Sequence, residues 1–293
     1  MNIIILSRNP NLYSTQSLVN ACRRKNHYVK VLDHMQCDLV IEHGSPAIYY
    51  LGQKIKNVDA VIPRIGASAT NFGSSVIRQF ELMNIFCSLK SDPLLKARNK
   101  ISCMQILAAN GIRVPKSTIS NNIYSVNQMI DEVGPMPIII KLVHGTHGLG
   151  VILAEQKKTA ESIVEAFHKT KQKVFLQKFI KEAGGADIRV LIVNNEIVGV
   201  MKRQAAEGEF RSNLHRGATS EIIKLNDEEM NVAKKAAKVM GLKIAGVDIL
   251  QSSKGPMVLE VNASPGLEGI ETTTGKDIAG KIITFVERNY QYT

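Results

Sequence analysis

Two short apolar runs lie close together late in the chain, Gly246-Val247-Asp248-Ile249-Leu250 and Met257-Val258-Leu259-Glu260-Val261-Asn262. Both read as β-strands whose apolar pattern is interrupted by an oxygen-bearing side chain. If Ser253-Lys254-Gly255 is a hairpin loop with Gly255 in the left-handed position, the register sets Asp248 opposite Glu260. Strand alternation then puts Asn262 on the same face. Magnesium takes few carboxylates and completes its shell with water and phosphate oxygens, so Asp248, Glu260 and Asn262 suit a nucleotide-bound metal. A solvated polar face on an edge hairpin would carry the same residues, and the pair alone leaves both readings open.

The chain has 293 residues, long enough for one large domain or two to three smaller ones around a cleft. With 44% hydrophobic and 22% charged residues it is expected to be folded throughout. No stretch approaches the ~18 uninterrupted apolar residues of a membrane span, and the opening Asn2-Ile3-Ile4-Ile5-Leu6-Ser7-Arg8 has no basic leader. A cytoplasmic protein without a membrane partner is expected. Cys22, Cys37, Cys87 and Cys103 are scattered, and neither a zinc site nor a redox pair is indicated. A net charge of +11 favours an anionic partner. The absence of tryptophan and of a concentrated basic segment argues against direct nucleic-acid recognition.

Along the first ~90 residues, strand-like runs at 3–6, 28–32 and 60–63 alternate with helical patterns at 14–25 and 74–84, the arrangement of an open parallel sheet. A single helix is predicted over 93–110, with Gly111 ending it and Lys100 inside it. A compact α+β unit follows. Residues 188–193 and 196–201 read as a hairpin around Asn194-Asn195, and helices are expected over 227–240 and 277–288.

Three further segments can carry chemistry. The run Ile138-Ile139-Ile140 leads to Lys141 and then to the turn His144-Gly145-Thr146-His147-Gly148-Leu149-Gly150. Glycines let backbone amides fold over phosphates, and a lysine at a strand end adds a point charge. The spacing fits neither a P-loop nor a Rossmann fingerprint. His144 and His147 lack a third ligand and read as polar loop residues. At Gln177-Lys178-Phe179-Ile180 a strand end can frame an adenine, with Asp187 beyond it for ribose hydroxyls. Lys202-Arg203 and Arg211-Ser212-Asn213 offer forked donors for phosphate or carboxylate. Taken singly, each is equally an ordinary turn, strand end or basic loop.

Together, and in this order, these elements resemble the ATP-grasp superfamily. PRIG at 63–66, RSNLHRGA at 211–218, GVDIL at 246–250 and EVNASPGLEGIE at 260–271 are similar to the RimK-type ribosomal-protein glutamate ligases, across nearly the whole chain. The resemblance implies α/β and α+β layers in an ATP-grasp fold: a pre-ATP-grasp parallel-sheet domain over 1–92, lid and central subdomain over 93–180, and catalytic subdomain over 181–293. It implies that ATP phosphorylates the C-terminal carboxylate of the sixth small-subunit ribosomal protein and that free glutamate displaces the phosphate. Lys100 and Lys141 would contact phosphates, Gln177, Lys178 and Phe179 would frame adenine, and Asp187 would bind ribose. Arg211, Ser212 and Asn213 would line the nucleotide, with Arg211 and Arg203 as catalytic arginines. Asp248, Glu260 and Asn262 would hold two magnesium or manganese ions. Lys178 departs from the glutamate often found at this hinge, which favours main-chain contacts there. A homo-oligomer is expected from the family. A ligase for a small-molecule or carrier acid, and an ATP-binding ribosome-associated regulator without turnover, are the alternatives.

Overall fold

The computed structural model describes residues 1–120, 125–142 and 150–292. Strands β1 (Asn2–Leu6) and β2 (Tyr28–Leu32) flank helix α1 (Tyr13–Arg24). After the antiparallel strands β3 (Cys37–Val40), β4 (Ala47–Tyr50) and β5 (Gln53–Lys54) come β6 (Ala60–Pro63), α2 (Thr70–Leu82) and β7 (Phe86–Cys87). The parallel sheet runs in the order β2-β1-β6-β7. Its central strand carries Ile3, Ile4, Ile5 and Leu6 in unbroken sequence because a parallel sheet is covered on both faces, and all four are buried. The small antiparallel sheet of β3, β4 and β5 was not foreseen; its strands are too short for their alternation to stand out.

The single helix expected over 93–110 is two helices, α3 (Ser91–Arg98) and α4 (Lys100–Ala109). Asn99 breaks it: its side chain accepts from the amides of Ile101 and Ser102, both at 3.1 Å, and so caps α4. Lys100 therefore stands on the first turn of α4, where helical amides point outward and favour an anion.

Strand β8 (Ser117–Ile119), α5 (Val126–Val133), β9 (Ile138–Leu142), β10 (Val151–Ala154), α6 (Lys157–Lys169) and β11 (Val174–Lys178) make a sheet of order β10-β9-β11-β8 with its own apolar core. The glycine-rich turn with His144 and His147 lies outside the described residues. Strands β12 (Ala186–Val193), β13 (Glu196–Gln204), β14 (Thr219–Glu221), β15 (Ile244–Leu250) and β16 (Met257–Asn262) form the last sheet, in the order β14-β13-β12-β15-β16. Asn194 and Asn195 both have positive φ, 49° and 67°, as the predicted two-residue hairpin requires. Helices α7 (Asp227–Val239), α8 (Glu268–Thr274) and α9 (Ile278–Asn289) complete the fold; α8 was not foreseen. Among the described residues no helix is long and apolar enough to cross a membrane.

The hairpin β15–β16 keeps the expected pairing by an unexpected route. Asp248 does face Glu260, but the connection is longer than three residues and Ile249 already faces Val258. Leu259 is the extra residue of a bulge that restores the pairing and adds local twist. Gly246 faces Asn262, and a Cβ there would come within 2.9 Å of Pro265 Cβ, so glycine lets the turn after β16 fold back onto β15.

Candidate active site

Four charged side chains from three neighbouring strands form the buried centre. In β12, Asp187 and Arg189 are two residues apart and share a face. Asp187 is the register partner of Arg203 on β13, and Arg189 that of Asp248 on β15. Arg203 holds Asp187 with two parallel bonds, Nε to Oδ1 and Nη2 to Oδ2, both 2.6 Å. It also reaches Asp248 Oδ2 at 3.0 Å. Arg189 grips Asp248 through Nε to Oδ1 and through Nη2 to Oδ2 at 2.6 Å. The result is an alternating chain of charges, Asp187, Arg203, Asp248 and Arg189, in which each ion has a forked or shared partner.

Their acidities follow from that arrangement. Burial alone would raise Asp248, but Arg189 and Arg203 hold it down at about 2. Asp187 is raised by burial and by the facing charge of Asp248, against the pull of Arg203. Burial opposes the Arg203 charge, yet Asp248 and Asp187 push that guanidinium above its ordinary value.

Glu260 is different. Its side chain is 49% exposed whereas that of Asp248 is 3% exposed. Asn262 Nδ2 donates to Glu260 Oε1 at 2.9 Å, and Arg189 Nη2 stands 4.0 Å from the same oxygen. Among the described residues no group of three or more His, Cys, Asp or Glu side chains gathers as a metal site. The candidate set is therefore two carboxylates and an amide, all oxygen donors, which is the chemistry of a hard divalent ion that keeps water or phosphate in its shell. Because both Asp248 oxygens are in guanidinium forks, Glu260 and Asn262 are the accessible ligands, and Asp248 can join by sharing an oxygen with Arg189 or Arg203.

The cations expected at phosphates lie on the other elements around Glu260. Lys141, near the end of β9, donates to Gln177 Oε1 at 2.7 Å, and Gln177 Nε2 donates to Ser117 Oγ at 3.0 Å. The Gln177 side chain is thus engaged in aiming Lys141 rather than free for an adenine. Burial, partly offset by Glu260 and reinforced by Lys100, pushes Lys141 down to about 8. Lys100 is lowered by burial, with Glu260 opposing and Arg98 adding to the shift.

At the strand end beyond Gln177, the Lys178 amide donates to Lys116 O at 2.8 Å. Phe179 packs edge-on against Phe210, ring centroids 6.5 Å apart, and the Arg211 guanidinium sits 5.2 Å from the Phe210 ring centroid. Arg211 pairs with Glu209 at 2.7 Å, and its Nη1 lies 3.4 Å from Val151 O on β10. The Ser212 hydroxyl helps to lower Asp187 against the effect of burial, and Asn213 precedes a short turn at Leu214–Arg216. The structure therefore joins Lys100, Lys141, Asp187, Arg203, Ser212, Asp248, Glu260 and Asn262 around one centre. It gives Arg211 an acidic partner of its own. Arg189 went unrecognised in the sequence, although its two-residue spacing from Asp187 was a readable signal.

The RimK PreATP-grasp domain family matches residues 1–94 and the RimK-like ATP-grasp domain family matches residues 97–286. The chain is 51% identical to a probable alpha-L-glutamate ligase of Cellvibrio japonicus, over 99% of this chain and 96% of that protein. It is 49% identical, with the same coverage, to one of Vibrio cholerae serotype O1. Its fold is similar to that of the ATP-grasp ligase PsnB in complex with minimal precursor, Mg and ADP, at TM-score 0.75 and 22% identity, covering 98% of each chain. It is also similar to D-alanine–D-alanine ligase from Bacillus anthracis with ATP, at TM-score 0.70 and 18% identity, covering 99% of this chain and 97% of that one.

Replacing Asp248 with asparagine should leave Arg189 and Arg203 short of counter-charge and cost about 3–5 kcal/mol in chemical denaturation. Glu260→Ala, at a half-exposed position, should cost less than about 1 kcal/mol. Equal losses at the two positions would contradict the distinction drawn between them.

Proposed function

The chain belongs to the RimK-like ATP-grasp family, and from that premise we propose that it adds glutamate to the C-terminal carboxylate of a small-subunit ribosomal protein. The coarser activity is that of an ATP-dependent ligase. Support for glutamate as the amine comes from relatives of about half-identical sequence over nearly the full chain, named as probable alpha-L-glutamate ligases. The observation that carries the chemistry is the grouping of two phosphate-type cations, Lys100 and Lys141, around the oxygen donors Glu260, Asn262 and Asp248.

In the proposed sequence the carboxylate oxygen of the acceptor attacks the γ-phosphorus of ATP and ADP leaves. The glutamate amine then attacks the carbonyl carbon of the acyl phosphate. Phosphate departs with one of the original carboxylate oxygens, and the amine, attacking in its neutral form, gives up one proton to the departing phosphate as the peptide bond forms. Lys100 and Lys141 neutralise phosphate charge and hold the γ-phosphoryl group in line. Glu260, Asn262 and Asp248 would hold one or two magnesium-type ions, whose chemistry there would be to offset negative charge on the phosphates. Arg203, locked between Asp187 and Asp248, acts by positioning both. Arg211 is assigned to the transferring group, and Ser212 and Asn213 to the nucleotide side. Phe179 offers its amide to the adenine edge, with Asp187 the residue assigned nearest the ribose.

Glu260→Ala should abolish ATP-dependent glutamylation while leaving the fold intact, read by following the mass of a peptide that ends like the ribosomal protein. Retained activity would remove Glu260 from the metal site. Wild-type protein that releases phosphate without lengthening the peptide would keep the ligase and exclude this acceptor.

Lys141 makes a second prediction. Without a ligand it titrates near 8, so above that pH it is largely neutral and must take up a proton to meet phosphate. Titration calorimetry of Mg-ADP in buffers of different ionisation enthalpy should show little proton uptake at about pH 6.5 and a clear fraction of a proton at about pH 9. Lys141→Met should abolish that uptake; unchanged uptake in the variant would assign the titration elsewhere.

A further inference from the structure

We propose that Arg64 and Arg98 form the seat for the acceptor carboxylate, between the strand ends of the N-terminal sheet and the turn that follows β16. What then happens to that carboxylate rests on the ligase function proposed above.

Arg64 follows β6 directly, and its amide extends the parallel ladder by donating to Leu6 O at 2.9 Å. Its Nη2 crosses to the last sheet and donates to Pro265 O at 2.6 Å, three residues beyond Asn262. Arg98, the last residue of α3, donates through Nη2 to Ile65 O at 2.6 Å. Each guanidinium uses its Nη2 on one main-chain carbonyl, and among the described residues neither has a carboxylate partner, unlike Arg189 and Arg203. Among the described residues Arg98 Nε is buried without a hydrogen-bond partner, and so is Ser264 Oγ, next to Pro265 in the turn after β16.

A half-buried cation without a counter-ion is unfavourable, and two side by side more so. Burial and the neighbouring Arg98 charge push Arg64 down to about 10. Such a pair is suited to receive an anion. Forked donors match the two oxygens of a carboxylate, and Ser264 Oγ adds a hydroxyl.

Position selects the carboxylate over a nucleotide phosphate. The phosphate cations Lys100 and Lys141 belong to α4 and β9, whereas Arg64 lies at the carboxyl end of a parallel strand, where open α/β sheets place their ligands. Arg98 and Lys100 both feel the charge of Glu260, so the two groups of cations meet at the metal-type ligand. An acid seated on Arg64 and Arg98 would therefore present itself to a phosphoryl group held from the other side.

The test is binding of a fluorescent peptide, ending like the ribosomal protein, to the full chain with Mg-ADP, compared with the same peptide amidated at its C-terminus. Wild-type protein should prefer the free acid by at least about tenfold. Arg64→Gln and Arg98→Gln should each lose most of that preference while their Mg-ADP affinity stays within about twofold, which also reports an intact fold. The proposal is overturned if the wild type shows no preference, if both variants keep it, or if Mg-ADP affinity falls in step with peptide affinity. Failure of the glutamylation function shows separately, as wild-type protein that binds the acid but never lengthens it.

Discussion

The alternating charges Asp187, Arg203, Asp248 and Arg189 are the interaction around which the site is built. They sit on three adjacent strands in register, three of them buried and Arg189 largely so, where each charge alone would be costly to desolvate. Paired as they are, they fix the strands' relative positions and hold Asp248 ionised. Glu260 and Asn262 are then carried outward on the bulged strand β16, toward Lys100 and Lys141. The division of labour is physical: the buried carboxylate is neutralised by protein, and the exposed one is available to an ion.

The rest of the molecule supplies cations to that edge from different directions. Lys141 arrives from β9 through the Gln177–Ser117 relay, Lys100 from a helix start created by the Asn99 cap, and Arg64 and Arg98 from the N-terminal sheet and α3. A formal charge of +11 is thus partly a local property, with basic side chains gathered where polyanionic substrates are proposed to meet.

Local chemistry made much of this legible in the sequence. The four-residue apolar run at the start declared a buried parallel strand, Asn194-Asn195 declared a two-residue hairpin, and the motif strings declared the family. What escaped was either compensated or non-local. The Asp248–Glu260 pairing came out correctly from an incorrect loop, because the bulge at Leu259 cancels the longer connection. Asn99 was hidden inside a helical pattern, since a cap is visible only in the hydrogen bonds it accepts. Arg189 could be seen to share a face with Asp187, but its union with Asp248 depends on β15 lying beside β12, more than fifty residues away in sequence. The role of Gln177 likewise depends on a neighbour, Lys141, that only the folded sheet brings within reach.

The central claim is that a carboxylate is activated at this edge by taking a phosphoryl group. Its most direct test is oxygen-isotope transfer: an acceptor peptide labelled with heavy oxygen in its terminal carboxylate, incubated with ATP, magnesium and glutamate, and the released phosphate analysed by mass. One labelled oxygen in the phosphate for each glutamate added is the predicted result; unlabelled phosphate accompanying peptide growth would contradict activation through an acyl phosphate.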